Sequence, residues 1–179
     1  MGVNGRMILE IGCGEYKVYG QSLGLDIRKT TKTDIVADAR ILPFEDGVFD
    51  LIFSSHSIEH ISHREVRSTL AEWIRVLRPG GGIEIICPDL RARAAIFAAR
   101  PTWDGVMKIY GDQDYPENSH LSGYSYGLLK EILISLGIGR IKRIIRGYKG
   151  IPFIPNSLHL VGEKKGLSQR RVETRRKSS

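Results

Sequence analysis

The stretch Met7-Ile8-Leu9-Glu10-Ile11-Gly12-Cys13-Gly14, with Gly24-Leu25-Asp26-Ile27 shortly after it, decides the fold. The apolar run predicts a buried strand entering a glycine turn, and the second segment predicts a short strand ending in a carboxylate. Glycines at 12 and 14 let the backbone turn sharply and approach a ligand closely, because neither carries a Cβ. A carboxylate at the tip of the neighbouring strand is placed to accept hydrogen bonds from a ribose. The pair predicts a nucleoside-binding α/β domain, although glycines also serve strand-to-helix turns for steric reasons alone.

The flanking segments extend the pattern. A third strand, Asp34-Ile35-Val36-Ala37-Asp38, precedes Ala39-Arg40-Ile41-Leu42-Pro43-Phe44-Glu45-Asp46-Gly47-Val48-Phe49-Asp50. An apolar strand, Leu51-Ile52-Phe53-Ser54-Ser55, then leads into His56-Ser57-Ile58-Glu59-His60-Ile61 and a helix closing on Leu77-Arg78-Pro79-Gly80-Gly81. In this order the segments resemble the class I S-adenosylmethionine-dependent methyltransferases, in the small branch with the pattern E-x-G-x-G, D, D-x-x-x-L-P-F-x-x-x-x-F-D, E-H, L-x-P-G-G. The resemblance spans about residues 6 to 165. Pro88-Asp89-Leu90, Tyr110-Gly111-Asp112-Gln113, His120 and Gly123-Tyr124-Ser125 add a narrower likeness to compact methyltransferases encoded beside sugar-transfer and polysaccharide enzymes.

The resemblance implies S-adenosylmethionine as cofactor, with S-adenosylhomocysteine as product. It assigns Glu10, Gly12, Cys13 and Gly14 to the floor of the cofactor site, with Glu10 either reading the amino acid end or ordering the turn. Asp26 would take the ribose hydroxyls, Ile27 would pack on the adenine, and Asp38 with Ala39 would meet the adenine amino edge. Ser54 and Ser55 would lie near the methionine part. Asp38 also reads as an ordinary turn former after a strand.

Methyl transfer from a sulfonium needs chiefly in-line alignment with the nucleophile. A hydroxyl acceptor also benefits from a base. His56, directly after strand four, and His120, in the insertion from Trp103 to Tyr124, are the candidate bases. His60 reads as a structural hydrogen-bonding residue and His63 as a surface residue inside a capping box. The insertion carries Trp103, Tyr110, Tyr115, Tyr124, Asp112, Asp114, Glu117 and Asn118, a mixture suited to a sugar-like acceptor and equally to ordinary loop packing. No metal-ligand spacing emerges from the sequence, so no metal is expected.

Composition narrows the remaining classes. A chain of 179 residues is one domain's worth. No apolar run approaches the roughly 18 residues of a membrane span, and Met1–Arg6 carries no signal-peptide apolar region, so a cytoplasmic location is expected. Two cysteines, Cys13 and Cys87, predict free thiols in a reduced compartment. Residues 1–139 hold 15 Lys/Arg against 18 Asp/Glu, whereas residues 140–179 hold 12 against 2. The basic end, including a tail at 166–179 predicted to be disordered, reads as a solvated segment or as a surface for an anionic partner. A small acceptor such as a glycan or phosphosugar is favoured over nucleic acid. RNA or protein methylation and a non-catalytic binding module remain the alternatives, and the chain lacks an Asn/Asp-Pro-Pro-Tyr-type motif, a nucleophile elbow and a phosphate loop.

The alternation of strands and helices predicts a Rossmann-like, seven-stranded, mostly parallel sheet within residues 1–165, with an antiparallel pair at its carboxyl end. Strands are expected at about 6–11, 23–27, 34–37, 49–54, 82–87, 141–145 and 158–163. Helices are expected from a capping box at Ser62-His63-Arg64-Glu65 to Leu77, over 90–99, and over 126–136. The connections after strands one and two are too short for the usual crossover helices. One face of the first half would then be poorly covered, and a homodimer is one way to cover it.

Overall fold

The computed structural model describes residues 5–148 and 150–166. Residue Lys149 and the tail from 167 onward, to which the expected basic disordered segment belongs, lie outside the described residues.

Seven strands form one sheet: β1 (Ile8–Ile11), β2 (Leu23–Asp26), β3 (Ile35–Val36), β4 (Phe49–Ser55), β5 (Leu77–Pro88), β6 (Ile138–Arg143) and β7 (Ser157–Lys164). Their spatial order is β3-β2-β1-β4-β5-β7-β6. The first five run parallel, and β7 pairs antiparallel with both β5 and β6. The expected fold class is the observed one. Strand order reverses between β1 and β4, which opens a crevice at their carboxyl ends, where ligands bind in open α/β sheets.

The hydrophobic periodicity of α1 (Val66–Val76) explains the main core. Val66, Leu70, Trp73 and Ile74 recur on one face, and all are buried against Leu9, Ile11, Ile52, Ile83 and Ile85 of the sheet. Helix α4 (Tyr126–Ser135) adds Leu129 and Leu133 to the same cluster, and the Ser125 hydroxyl caps it by accepting the Leu128 N–H. Trp73 is fully buried, and its indole N–H donates to the Ala39 carbonyl at 2.8 Å. That bond ties the helix to the loop after β3. Arg75 holds the same loop further along, donating to the carbonyls of Phe44 at 2.8 Å and Leu42 at 3.2 Å while pairing with Glu72 and Asp46.

The capping box does not form. Helix α1 begins three residues later than expected, and the Glu65 carboxylate reaches outward to Arg40 at 3.1 Å rather than back to the Ser62 N–H. An available guanidinium outcompetes a backbone N–H for the carboxylate, since both partners are then charged. The carboxyl end of α1 is finished instead by Lys164 of β7, whose ammonium donates to the Ile74 carbonyl at 2.6 Å.

The other sheet face is covered by loops. Cys13–Ser22 and Arg28–Asp34 contain no helix, as their length requires. Glu10, Phe53 and Glu84 are neighbours across three strands on this face. Glu84 accepts from the Tyr19 hydroxyl at 3.0 Å and meets His159 Nε2 at 2.6 Å, and Tyr148 packs edge-on against the His159 ring. Phe53, Ile86 and Ile151 form a small second core there, with Tyr19 and Ile154 against it. Helices α2 (Leu90–Ala99) and α3 (Trp103–Tyr110) follow β5 and pack on each other. Asp89 caps α2 through the N–H groups of Arg91 and Ala92, and its other oxygen takes Arg143 at 2.9 Å. Among the described residues, no helix is long and apolar enough to cross a membrane.

Truncating Trp73 to Ala removes both its buried ring and the bond to Ala39. Urea unfolding should show a loss of about 3–5 kcal/mol.

Candidate functional site

The crevice is a cavity of about 460 Å³ at the carboxyl ends of β1 to β4. Gly12 and Gly14 from the turn after β1, Asp26 at the end of β2 with Ile27 and Arg28 after it, Asp38, Ala39 and Arg40 after β3, and His56 and Ser57 after β4 all line it. Its far wall comes from Ile61, Ser62 and Glu65 before α1 and from Tyr115, Pro116, Glu117, Ser119 and Leu121 of the insertion.

Asp26 organises the floor. It is buried, and its Oδ2 accepts the Gly14 N–H and its Oδ1 the Arg28 N–H, each at 2.9 Å. Both oxygens retain a lone pair for a further donor. Gly12 and Gly14 both have left-handed backbones, at φ +70° and +51°. They differ in what surrounds them. A Cβ on Gly12 would meet the Ser57 side chain at 2.4 Å, whereas one on Gly14 would meet nothing within 4 Å. Gly12 is therefore needed for packing, and Gly14 leaves open space beside a carboxylate. Ile27 is half-exposed at the rim and offers an apolar surface next to that carboxylate.

Asp38 is held by Arg40, whose Nη2 lies 2.6 Å and Nε 2.9 Å from its Oδ2. Arg40 in turn reaches Glu65. The guanidinium keeps the Asp38 carboxyl below the usual carboxylate range, so it is ionised and already partnered. The insertion is joined to the β2 side of the cavity by Arg28, whose guanidinium stacks 4.2 Å from the centre of the Tyr115 ring.

Several expected site residues stand elsewhere. Glu10 does not line the cavity; its carboxylate accepts the N–H groups of Val18 and Tyr19 in the loop that follows the glycine turn. Burial raises its pKa, against the lowering effect of those N–H groups. Cys13 points behind the turn toward the Lys32 carbonyl, and burial pushes its thiol up. Ser54 is buried among strands with its hydroxyl unbonded among the described residues, and neither it nor Ser55 reaches the cavity. Strand alternation turns Ser54 toward the core, and β4 ends at Ser55, one residue before the chain meets the crevice at His56.

The two candidate bases are separated in role. His56 lines the cavity on a left-handed backbone of φ +52°, a strained conformation for a non-glycine residue. His120 does not line it. Its Nδ1 lies 3.0 Å from the Ile109 carbonyl, and burial pulls its pKa down, with the Glu59 charge opposing. In the insertion only Tyr115 and Glu117 of the eight expected side chains face the cavity. Tyr124 is core, Trp103 and Tyr110 are exposed elsewhere, and Asn118 donates to Asp114 within the loop. The sequence reading passed over Arg28, Arg40, Ser57 and Glu65. None follows a strand directly in a recognisable pattern, and their placement depends on contacts between distant loops.

Residues 9–85 match a family model described as a methyltransferase domain. Tocopherol O-methyltransferase of Arabidopsis thaliana is 47% identical over 69 residues, which cover 38% of this chain and 19% of that protein. The matched stretches span 14–35% of the length of the first curated relatives. A methyltransferase from Archaeoglobus fulgidus has the same fold, with a TM-score of 0.62 at 19% identity, covering 89% of this chain and 86% of that one. A toxoflavin-precursor N1-methyltransferase from Burkholderia thailandensis, solved with S-adenosylhomocysteine bound, superposes with a TM-score of 0.59 at 12% identity, covering 89% and 71%.

The two glycines make a paired test of this geometry. Gly14→Ala should cost about 1–2 kcal/mol, the penalty of a left-handed alanine. Gly12→Ala adds a steric clash and should cost about 2–5 kcal/mol, both read by urea unfolding.

Proposed function

We propose that this chain is a class I S-adenosylmethionine-dependent methyltransferase, as its match to a methyltransferase-domain model and its fold support, and that it transfers a methyl group from that cofactor to a small acceptor bound in the same cavity. The observation that carries the reading is the floor of the cavity, where Asp26 stands beside the open, left-handed Gly14. These residues fit a nucleoside. Asp26 has acceptor capacity left for the ribose hydroxyls, Gly14 leaves room for the chain joined to it, and Ile27 with Ala39 offers apolar contact for adenine. Asp38, its carboxylate neutralised by Arg40, would present the adenine edge with backbone rather than side-chain groups. When bound, the cofactor supplies an electrophilic methyl group on sulfur.

The remaining assignments follow from position. Tyr115, Glu117 and Ser119 line the far wall and combine an aromatic surface with polar acceptors, which supports a hydroxylated, sugar-containing acceptor and O-methylation. His56 at the rim of β4 is the side chain suited to take the proton of an acceptor hydroxyl. His120, set behind the wall, is not assigned that role. The reading fits a cytoplasmic enzyme acting on a glycan or phosphosugar precursor.

Two measurements test this. Calorimetry should show S-adenosylhomocysteine binding at micromolar affinity, about −8 kcal/mol. Asp26→Ala should weaken it by about 1.5–3 kcal/mol, with the unfolding midpoint of the unliganded variant as control. Absence of wild-type binding refutes the reading. With an acceptor in hand, His56→Ala should lower turnover by about 10²–10⁴-fold while cofactor affinity stays within a few fold.

A further inference from the structure

Behind the wall that His56 and His60 form, a cluster of side chains serves no purpose described so far. The one-turn 3-10 helix Ile58–His60 carries Glu59 and His60, and the loop after Asn118 brings His120 to them. One nitrogen or oxygen from each lies within 4.8 Å of the other two, and the His60 and His120 rings meet edge to face with centroids 5.1 Å apart.

Glu59 is the unusual member. It is 1% exposed, and neither carboxylate oxygen has a hydrogen-bond partner among the described residues. Its Oε1 faces His56 Nδ1 at 3.2 Å without forming a hydrogen bond. A buried carboxylate without donors is costly unless a cation compensates it.

The two imidazoles are oriented in a way that points to that cation. His60 Nδ1 lies 3.1 Å from the Ser119 carbonyl, and His120 Nδ1 lies 3.0 Å from the Ile109 carbonyl. A carbonyl can only accept, so both Nδ1 atoms carry the proton. In the neutral ring each Nε2 then keeps its lone pair. A backbone carbonyl fixing the tautomer of a ligating histidine is the usual outer-sphere arrangement of metal sites.

We propose that Glu59, His60 and His120 bind a divalent transition-metal ion. Two imidazoles and a carboxylate suit zinc and its first-row neighbours, whereas calcium and magnesium prefer sets made of oxygen. Bonds of about 2.0–2.2 Å would draw the ligand atoms to about 3.3 Å from one another in a tetrahedral site. Because His56 and His60 line the cavity, the ion would stand at its wall, within reach of an oxygen ligand there. Metal binding is independent of the methyl-transfer reading, and its test does not use activity.

The full chain, stripped with a chelator, is titrated with zinc by calorimetry and with cobalt by visible absorption. One ion per chain is expected, with a rise in melting temperature and no thiolate charge-transfer band, since Cys13 and Cys87 take no part. Glu59→Gln should weaken binding more than about 100-fold, beyond the roughly 10–100-fold effect of losing an outer-sphere group, and abolish the melting shift. His120→Ala should do the same and serves as the second variant if the first does not fold. His63→Ala, at an exposed histidine outside the cluster, should bind as the wild type does. Failure of the folded wild type to bind, or retention of binding within twofold by both cluster variants, overturns the proposal.

Discussion

The carboxylate of Asp26 accepts one N–H from the turn after β1 and one from the turn after β2, and the geometry of the crevice depends on that pair of bonds. Neither turn has a crossover helix to hold it. Without such helices, the positions of Gly14 and Arg28 would be set only by loop backbone, whose ordering costs entropy. A buried, charged acceptor bonded to both fixes them together. Thr30 adds to the same effect, donating its hydroxyl to the Gly14 carbonyl at 2.6 Å. The group that shapes the floor is thus also the one that faces the cavity.

The missing helices are answered differently on the sheet face. Glu10 takes the backbone N–H groups of Val18 and Tyr19, and the Tyr19 hydroxyl passes to Glu84, which meets His159. Loop backbone carries polar groups that need partners when buried. Charged side chains on the sheet supply them, which is why a face that would otherwise be apolar contains two glutamates. This polar layer seats the Cys13–Ser22 loop over the sheet.

On the cavity's outer side, the insertion is positioned by two unlike contacts. The Arg28–Tyr115 stack spans the opening, and the N–H groups of Leu121 and Ser122 both donate to the Glu59 carbonyl. The backbone of Glu59 thereby anchors the loop that brings His120 alongside its side chain. Loop placement and the assembly of the titratable cluster are consequences of the same segment.

Much was determined by local sequence. The apolar strand ending in Gly12 and Gly14, the carboxylate at Asp26, the helical stripe through Trp73 and the short connections each have a period or a steric requirement that acts within a few residues. From these followed the sheet, its antiparallel end, the position of the crevice and, at its floor, Gly12, Gly14 and Asp26 but not Glu10 or Cys13. The capping box at Ser62–Glu65 was equally legible and did not form, because Arg40, 25 residues earlier, captures the Glu65 carboxylate. The same kind of contact set the rest. Arg28 meets Tyr115, Arg40 meets both Asp38 and Glu65, and His120 reaches Glu59 and His60 across some 60 residues of chain. Only tertiary structure decides which distant side chains share a volume, since sequence spacing carries no information about loops brought together by a sheet.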